Sequence, residues 1–569
     1  MRLGRYELLA SVPAPLTYGE GKNLGAALGT ASICAFGNTR TFDTLAVTGL
    51  AAIAATEWLL LPKAGDIWWM DASRHALNGA FVLDFVRAMP FHDPVTFALN
   101  YYRQWPALTI LFYPPLFYVF LAISYALFGV SEAAALVPEL LFVFLLGWGA
   151  YRLSCNWLTG IPSLAAAIAT MVAPGIYFWG QQIMLDVPAY ACVMWAAVFQ
   201  LRYQKGAPAP YLYGAVILAV AAVYMKYNAA FFLGVMALSL LWARGPRFAL
   251  ERTALIAAAL SAVLLLPLLV AFFKFSSYDL SQAASVKDAA ARWSFAGLTY
   301  YLRAMPGMLS WPIVALGVAY LAGVWFLPRL RLPRADAVFL SLWVGLGYVF
   351  YTMIALKEPR HILFITYPIV LTAVLLLDRL LEVRLWRDVL TLGVAGSVLA
   401  ISAVTSPAPH VTGMRQAAVD VARIAPPETN VAFWGRLDGT FIFAMRAYAH
   451  RPDLGVIRLD KLLLGDVAIS LDRGFTQRDL SPKQIAQQLH DLHVQYVVAQ
   501  THYEDQLRVI NALNAALHSG KFRKVETIPM SANYPYTYIT ELAIYRAVAP
   551  VPRGRIAPRL DVKVINKSF

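Results

Sequence analysis

The sequence predicts a polytopic α-helical membrane protein that ends in a soluble α/β domain. Its 569 residues are 59% hydrophobic, and the mean hydropathy is +0.57. Apolar runs of about 17–25 residues recur between residues 42 and 405, and each could cross a hydrocarbon core of about 30 Å as a helix. No alternating ten-residue pattern is present, which argues against a transmembrane β-barrel. After residue 405, charged residues and short apolar runs mix as they do in soluble α/β domains.

The apolar runs predict about twelve membrane spans, at 42–62, 108–128, 133–153, 161–179, 184–203, 210–225, 228–243, 253–273, 307–327, 336–355, 362–378 and 388–405. We therefore expect three parts, which are a cytoplasmic segment 1–41, a transmembrane domain 42–405 with a first outer loop 63–107, and an extracytoplasmic α/β domain 406–569.

Basic residues predict the orientation, because cytoplasmic loops carry an excess of Lys and Arg. With the N-terminus inside, every cytoplasmic turn after the second span except 129–132 carries such residues, namely Arg152, Arg202, Lys205, Arg244, Arg247, Arg252, Arg329, Arg331, Arg334, Arg379, Arg384 and Arg387. The net charge of +14 is explained in this way, so nucleic acid is not predicted as a partner. We expect a multi-pass protein of the cytoplasmic (inner) membrane with its C-terminal domain outside.

Other classes of protein lack support in the sequence. The cysteines Cys34, Cys155 and Cys192 are scattered, which gives neither a disulfide framework nor zinc-ligand spacing. The tail has no GxGxxG loop or P-loop, so nucleotide binding is not predicted. Residues 1–40 lack the pattern of a secretory signal peptide.

A polar stretch follows the first span, Gly65-Asp66-Ile67-Trp68-Trp69-Met70-Asp71. Tryptophans settle in the headgroup layer, and an unpaired acid at the edge of lipid is expensive. A desolvated, positioned carboxylate is also what proton removal from a hydroxyl requires. Asp71 and Asp66 are therefore candidate catalytic residues. The alternative is that Asp71 only pairs with Arg74.

Four polar residues of the outer loop, Asp71, Arg74, His75 and Asn78, are spaced to share one helix face. This spacing predicts an amphipathic helix lying in the membrane interface, with Arg74 and His75 available to substrate. A solvated helix face without chemistry is the alternative.

Two aromatic segments follow, one in the same loop and one at the mouth of the next span. Arg103 in Tyr101-Tyr102-Arg103-Gln104-Trp105-Pro106 is a basic residue on the predicted outer side, and it is a candidate anion clamp with Gln104 beside it. In Tyr113-Pro114-Pro115-Leu116, the proline pair leaves carbonyl groups free, which is tolerated where the backbone is buried in protein or lines a cavity. The alternative is a plain helix N-terminus.

Three later outer turns carry further candidates. Asp186 opens the fifth span, where a helix N-terminus alone would favour a carboxylate. The turns Lys226-Tyr227-Asn228 and Lys357-Glu358-Pro359-Arg360-His361 bring three cations that suit a phosphate. The alternative is that these cations snorkel to the headgroups. We expect the four clusters to converge on one face of the membrane.

The ordered set of these motifs resembles the GT-C membrane glycosyltransferases, in particular the superfamily of dolichyl-phosphate-mannose protein mannosyltransferases and aminoarabinose transferases (glycosyltransferase family 39-like). The matching elements are the acid of Trp69-Met70-Asp71-Ala72, the Pro-Pro motif, Leu185-Asp186-Val187-Pro188, Lys226-Tyr227, and Glu358-Pro359-Arg360-His361 before Pro368.

This resemblance implies inverting transfer of one sugar, a hexose or a pentose, from a polyprenyl-phosphate donor to a lipid, glycan or protein acceptor. Asp71 would be the general base, and Lys226, Arg360 and Arg103 would stabilise the leaving phosphate. Many relatives have Asp-Glu in the first loop, whereas Ala72 follows Asp71 here, so Asp66 supplies the second acid or none does. A divalent metal is therefore left open. A transporter or lipid-linked sugar flippase, and a non-catalytic assembly subunit, are the alternatives.

Overall fold

The computed structural model describes residues 39–62, 65–275, 293–465, 475–534, 539–556, 561–562 and 567–568. Helices make up most of its first 405 residues. They are α1 (Thr39–Leu60), α2 (Met70–Ala88), α3 (Pro94–Gln104), α4 (Leu116–Phe128), α5 (Glu132–Ser154), α6 (Ile161–Met171), α7 (Pro174–Gly180), α8 (Asp186–Gln204), α9 (Pro210–Met225), α10 (Phe231–Arg244), α11 (Arg252–Phe275), α12 (Phe295–Leu309), α13 (Trp311–Phe326), α14 (Arg334–Met353), α15 (Thr366–Leu380) and α16 (Arg384–Thr405). Short 3₁₀ helices lie at Tyr227–Ala230, Pro246–Leu250, Pro328–Leu330 and Pro359–Ile365.

Among the described residues, seven helical segments are long and apolar enough to cross a membrane, or eight if the bent pair α6 and α7 forms one span. Shorter apolar helices lie at α4, α9 and α13. The chain is therefore a helical membrane protein, as predicted, and the number of about twelve spans stays a prediction.

Two predicted spans are interrupted. The span expected at 161–179 bends by 56° between α6 and α7. Ala173 there has extended backbone, because the residue before a proline, here Pro174, is disfavoured in helical geometry. The span expected at 307–327 is broken at Ser310, which has a φ of 77° and precedes Trp311-Pro312.

The C-terminal part is built around a five-stranded sheet. Its strands are β1 (Gly455–Arg458), β2 (Asn430–Trp434), β3 (Val494–Gln500), β4 (Glu541–Ala547) and β5 (Phe522–Pro529), in that spatial order. The strands β1, β2 and β3 are parallel, and β4 and β5 join antiparallel. The helices around the sheet are α17 (Met414–Ile424), α18 (Asp438–Tyr448), α19 (Leu459–Leu463), α20 (Pro482–Asp491) and α21 (Arg508–Leu517).

Alternate strand residues point to opposite faces of this sheet. Val431 and Phe433 join the large core that continues into the membrane helices. Ala432 and Trp434 join a second core with residues of α20 and α21. One face of the sheet is thus directed at the membrane part, with α17 and α18 between them.

The helix α2 is enclosed rather than amphipathic. Arg74, His75 and Asn78 are buried, and so are Ala76 and Leu77 on other faces of the same helix. The helix packs against α4 on one side and α18 on another. The amphipathic helix that the spacing predicts, and the solvated polar face that is its alternative, are therefore wrong, because Arg74, His75 and Asn78 are buried inside the protein. Whether α2 lies at the level of the membrane interface stays a prediction.

Candidate functional site

The carboxylate of Asp71 lies in the first turn of α2. Its Oδ2 accepts a hydrogen bond from Nη2 of Arg360 at 3.2 Å, across 289 residues of sequence. Trp69, the residue before α2, has extended backbone and ends the loop that follows the first span. Asp71 remains partly exposed, whereas the residues that follow it in α2 are buried.

Arg360 joins several parts of the site. It follows Pro359 at the start of the 3₁₀ helix Pro359–Ile365, and its Nε forms an ion pair with Glu358. The guanidinium lies over the ring of Trp179 at 5.1 Å and over that of Trp69 at 5.8 Å. This arrangement fixes the plane of the guanidinium while two carboxylates share its charge.

A second buried ion pair lies beside the first. Nζ of Lys226 is 2.5 Å from Oδ1 of Asp186. Asp186 is the first residue of α8, and Lys226 lies between α9 and the 3₁₀ helix Tyr227–Ala230 with extended backbone. Among the described residues, Oδ2 of Asp186 has no hydrogen-bond partner. The pair therefore retains capacity to bind a further group.

The loop before Asp186 connects the two pairs. Sδ of Met184 is 4.0 Å from Nη1 of Arg360. The backbone N–H of Met184 donates to Oε1 of Glu139, at 2.7 Å, from the middle of α5. Glu139 thus anchors the segment that presents Asp186. Sequence reasoning missed it, although an acid inside an apolar helix is by itself a signal of a functional site.

Aromatic side chains surround the two histidines. Nδ1 of His75 is 3.0 Å from the Tyr118 hydroxyl, and the ring of Tyr113 meets it edge-on at 4.8 Å. His361 stacks with Tyr351 at 6.2 Å, and its Nδ1 is 3.4 Å from the hydroxyl of Tyr301. In the turn after Lys226, the ring of Tyr227 contacts that of Phe272 at 5.3 Å.

Two of these groups lie in the outer loop and have strongly shifted pKa values. Burial alone would raise the pKa of Asp71, but Arg360, His75 and Arg74 outweigh it and hold the pKa at about 2. Burial lowers the pKa of His75 to about 4, against the opposing effect of Asp71. At neutral pH the site therefore contains an ionised Asp71 beside a neutral His75.

Four predicted site residues have other contacts. Asp66 forms an ion pair with Arg415 at 3.3 Å. Arg74 donates to Asp438 at 3.2 Å. The amide of Gln104 donates to the carbonyls of Pro452 and Leu454 at 2.8 and 2.9 Å. Asp66, Arg74 and Gln104 therefore all contact the C-terminal part. Arg103 donates to its neighbour Asn100 at 3.1 Å.

The structure thus brings together, by direct contact, Arg360 with Asp71 and Glu358, and Asp186 with Lys226. The guanidinium of Arg74, the partner of Asp71 in the alternative interpretation, donates to Asp438. Asp71 and Arg360 are 289 residues apart in sequence, so motif spacing alone did not reveal their contact.

A metal ion at this site would need acidic or histidine side chains as ligands. Within the described ranges, no group of three or more His, Cys, Asp or Glu side chains is arranged to hold a metal ion. Asp186 and Glu358 are each paired with a cation instead. Whether the site holds the divalent metal that the sequence left open stays a prediction.

Comparison with known proteins gives the family context. Residues 113–270 match the family model for dolichyl-phosphate-mannose-protein mannosyltransferase. This segment contains the Pro-Pro motif, Asp186 and Lys226. A comparison with curated proteins gave no match.

Three solved structures share the architecture. ArnT from Cupriavidus metallidurans, bound to undecaprenyl phosphate, has a TM-score of 0.58 and 13% identity, covering 90% of this chain and 100% of its own. The arabinofuranosyltransferase AftD from Mycobacteria has a TM-score of 0.53 and 15% identity, over 89% of this chain and 40% of AftD. The oligosaccharyltransferase AglB from Archaeoglobus fulgidus, in complex with an inhibitory peptide and a dolichol-phosphate, has a TM-score of 0.51 and 13% identity, over 82% of this chain and 70% of AglB. The chain therefore has the GT-C fold, and the resemblance to GT-C membrane glycosyltransferases that its motifs carry is confirmed.

Proposed function

We propose that the protein transfers a single sugar, a hexose or a pentose, from a polyprenyl-phosphate donor to an acceptor at the outer face of the cytoplasmic membrane. The observation that carries this proposal is the contact of Arg360 with Asp71. It sets a carboxylate and a phosphate-binding cation side by side in a fold whose solved members include one bound to undecaprenyl phosphate. The acceptor is a lipid, a glycan or a protein.

The reaction is a direct displacement. An acceptor hydroxyl attacks the anomeric carbon, and a new C–O bond forms on the face opposite the phosphate. The bond from the anomeric carbon to the phosphate oxygen breaks, and its electron pair leaves with the polyprenyl phosphate. The hydroxyl proton goes to the carboxylate of Asp71, and the configuration at the anomeric carbon is inverted.

Lys226 and Arg360 stabilise the leaving phosphate, where negative charge develops in the transition state. Both cations are already positioned, Lys226 by Asp186 and Arg360 by Glu358 and the ring of Trp179. Such preorganised groups cost little reorganisation when the reaction occurs. The prenyl chain would lie in apolar surroundings beneath the first outer loop.

Donor binding also makes Asp71 a better base. With Arg360 beside it, Asp71 has a pKa of about 2, which is poor for accepting a proton at neutral pH. A donor phosphate competes for the same guanidinium. Once Arg360 turns to the phosphate, the largest of the effects that oppose burial is weakened and the pKa of Asp71 rises. The base is therefore effective only when the donor is present.

The membrane arrangement belongs to the same proposal. We infer that α4, α8, α9 and α13 complete about twelve spans, with residues 406–569 outside. An introduced Ser519→Cys, at an exposed position of the C-terminal part, should react with a membrane-impermeant thiol reagent in intact cells. Reaction only after lysis would contradict the orientation.

The function is tested with purified protein in lipid nanodiscs. Polyprenyl phosphates carrying a radiolabelled hexose or pentose are offered with acceptor lipids, glycans and peptides from the cell envelope. We expect a labelled glycoside of inverted configuration, which is lost in Asp71→Asn. A lipid-linked sugar flippase would move the donor across a vesicle membrane without forming product, and that outcome would overturn the proposal.

A further inference from the structure

We infer that Arg74 and Asp438 are positioning residues, through which the C-terminal domain holds the helix that carries the catalytic base. This inference rests on the proposed role of Asp71. It assigns the C-terminal domain a part in the rate of transfer, separate from any part in binding the acceptor. The contact at its centre joins α2 to the first residue of α18.

The guanidinium of Arg74 forms hydrogen bonds both with Asp438 and with the backbone of α2. Its Nη2 donates to the two carboxylate oxygens of Asp438 at 3.2 and 3.3 Å. Its Nη1 donates to the carbonyl of Met70 at 3.0 Å. Met70 is the residue directly before Asp71 and the first of α2. The guanidinium therefore fixes the backbone turn from which the Asp71 side chain leaves.

Asp438 is itself fixed from the other side. Nε of Arg458, in β1, is 2.8 Å from its Oδ2. Arg458 also forms an ion pair with Asp460 at 2.6 Å and donates to the carbonyl of Pro106 in the outer loop at 3.2 Å. This chain of bonds runs from the sheet of the C-terminal part to the first turn of α2.

The two helices also meet without room for adjustment. A Cβ added at Gly439 would clash with Oγ of Ser73, which lies between Asp71 and Arg74 on α2. The hydroxyl of the next residue, Thr440, donates to the carbonyl of Ile67 at 2.9 Å. A small shift of α18 would therefore be passed to the first turn of α2. A displacement of about 1 Å at a reacting group can reduce a rate about 10²-fold.

A buried ion pair by itself is weak evidence for stability, because the cost of desolvating two charges offsets their attraction. The same helix offers a control for this point. Asp84, near the other end of α2, forms a comparable interdomain ion pair with Arg446 at 2.6 Å. It lies 13 residues beyond Asp71, about 20 Å along the helix axis. Only the Arg74 pair adjoins the base.

The experiment compares Asp438→Asn with Arg446→Gln in the full-length protein. Single-turnover transfer, donor dissociation constant and melting temperature are measured on each. We expect Asp438→Asn to reduce the single-turnover rate about 10- to 100-fold with donor affinity unchanged, and Arg446→Gln to reduce it less than about threefold. Equal losses in the two variants, in proportion to their melting temperatures, would overturn the positioning role.

A second pair of variants keeps the test decisive if Asp438→Asn does not fold. Gly439→Ala introduces the clash with Ser73 and removes no charge, so it should slow transfer at unchanged donor affinity. Adding Ser73→Ala removes the Oγ, leaves the new methyl 3.3 Å from Nη1 of Arg74 and 3.4 Å from Cβ of residue 73, and should restore the rate. Slow transfer in the double variant would contradict the inference.

The role of Asp71 is tested separately in the same assay. If Asp71→Asn retains transfer, the proposed base is wrong and the positioning inference falls with it. If Asp71→Asn is inactive while Asp438→Asn behaves like Arg446→Gln, the base stands and the positioning inference alone is wrong.

Discussion

Two ion pairs lie one helical turn apart on α2, and they differ in how much of their side chains is exposed to solvent. Arg74 and Asp438 have side chains that are 2% and 10% exposed. In the pair of Asp71 with Arg360, the arginine is 8% exposed but the aspartate is 21% exposed. One pair joins two parts of the chain, and the other leaves an acid accessible beside a shared cation.

The bonding partners show what this difference means. Asp438 receives two guanidinium groups, from Arg74 and Arg458, and so has its lone pairs occupied. Arg360 instead divides its charge between Asp71 and Glu358. An anion that enters beside Arg360 can take the place of Asp71, whose carboxylate is partly exposed and can then accept a proton. The first pair is suited to a fixed role and the second to exchange with a ligand.

The largest effect is expected for Asp71→Asn, which keeps the size of the side chain and removes its basicity. We predict a correctly inserted protein with single-turnover transfer reduced about 10²-fold or more, the usual scale of general-base catalysis. Single-turnover transfer and melting temperature are measured on the same preparation. A large fall in melting temperature with little change in rate would mean that this pair, like that of Arg74, is structural.

A somewhat smaller loss is expected when either cation of the phosphate site is removed. A charge-assisted hydrogen bond contributes about 1.5–3 kcal/mol, so Lys226→Ala and Arg360→Ala should each reduce kcat/KM about 10- to 100-fold. Arg423→Ala, which removes an exposed cation of the C-terminal part, serves as the control. Near-normal transfer by both variants would require the leaving phosphate to be held elsewhere.

The pH dependence of kcat/KM tests whether Arg360 controls the pKa of Asp71. Because Arg360 keeps the pKa of Asp71 near 2, the free enzyme should show no acid limb from Asp71 in kcat/KM above about pH 4. In Arg360→Gln, burial raises this pKa, so an acid limb should move up into the measurable range. The depressed pKa also makes the free energy of unfolding depend on pH. A carboxylate whose pKa is depressed by folding contributes stability above its ordinary pKa, and this is lost as the pH falls toward 2. An unshifted limb in Arg360→Gln would show that Arg360 does not control Asp71.

The smallest effect is expected for Glu139→Gln. The amide oxygen can still accept from the N–H of Met184, so transfer should change less than about threefold. Glu139→Leu leaves that buried N–H without its partner, which costs about 1–3 kcal/mol, and should lower both melting temperature and rate. If the Gln and Leu variants lose activity equally, the charge of Glu139 matters rather than its hydrogen bond.

The sequence predicted the charged residues that stand out in an apolar chain. Asp71, Asp186, Lys226 and Arg360 were found because an ionisable group at the membrane edge is expensive and therefore informative. Whether they act as proposed stays a prediction. Hydropathy also located the helices, but it averages over single residues and so passed over the break at Ser310.

The partners of the outer-loop residues could not be predicted. The sequence predicts substrate contacts for Arg74 and Gln104, because it does not show their actual partners. Those partners lie 364 and about 350 residues away. A helical spacing shows which side chains share a face and does not show what covers that face. Asp66 is a similar case, because the residue that neutralises it, Arg415, follows the last membrane helix.

The pairing of Asp66 with Val411 has a consequence for biosynthesis. The backbone N–H of Asp66 donates to the carbonyl of Val411 at 2.6 Å, and the N–H of Val411 donates back at 3.2 Å. A ribosome makes the first of these residues long before the second, and most of the membrane helices emerge between them. Contacts so distant in sequence close late in folding. The first outer loop must therefore wait for the segment that follows the last membrane helix, and a nascent protein would gain its complete site only after that segment has been made.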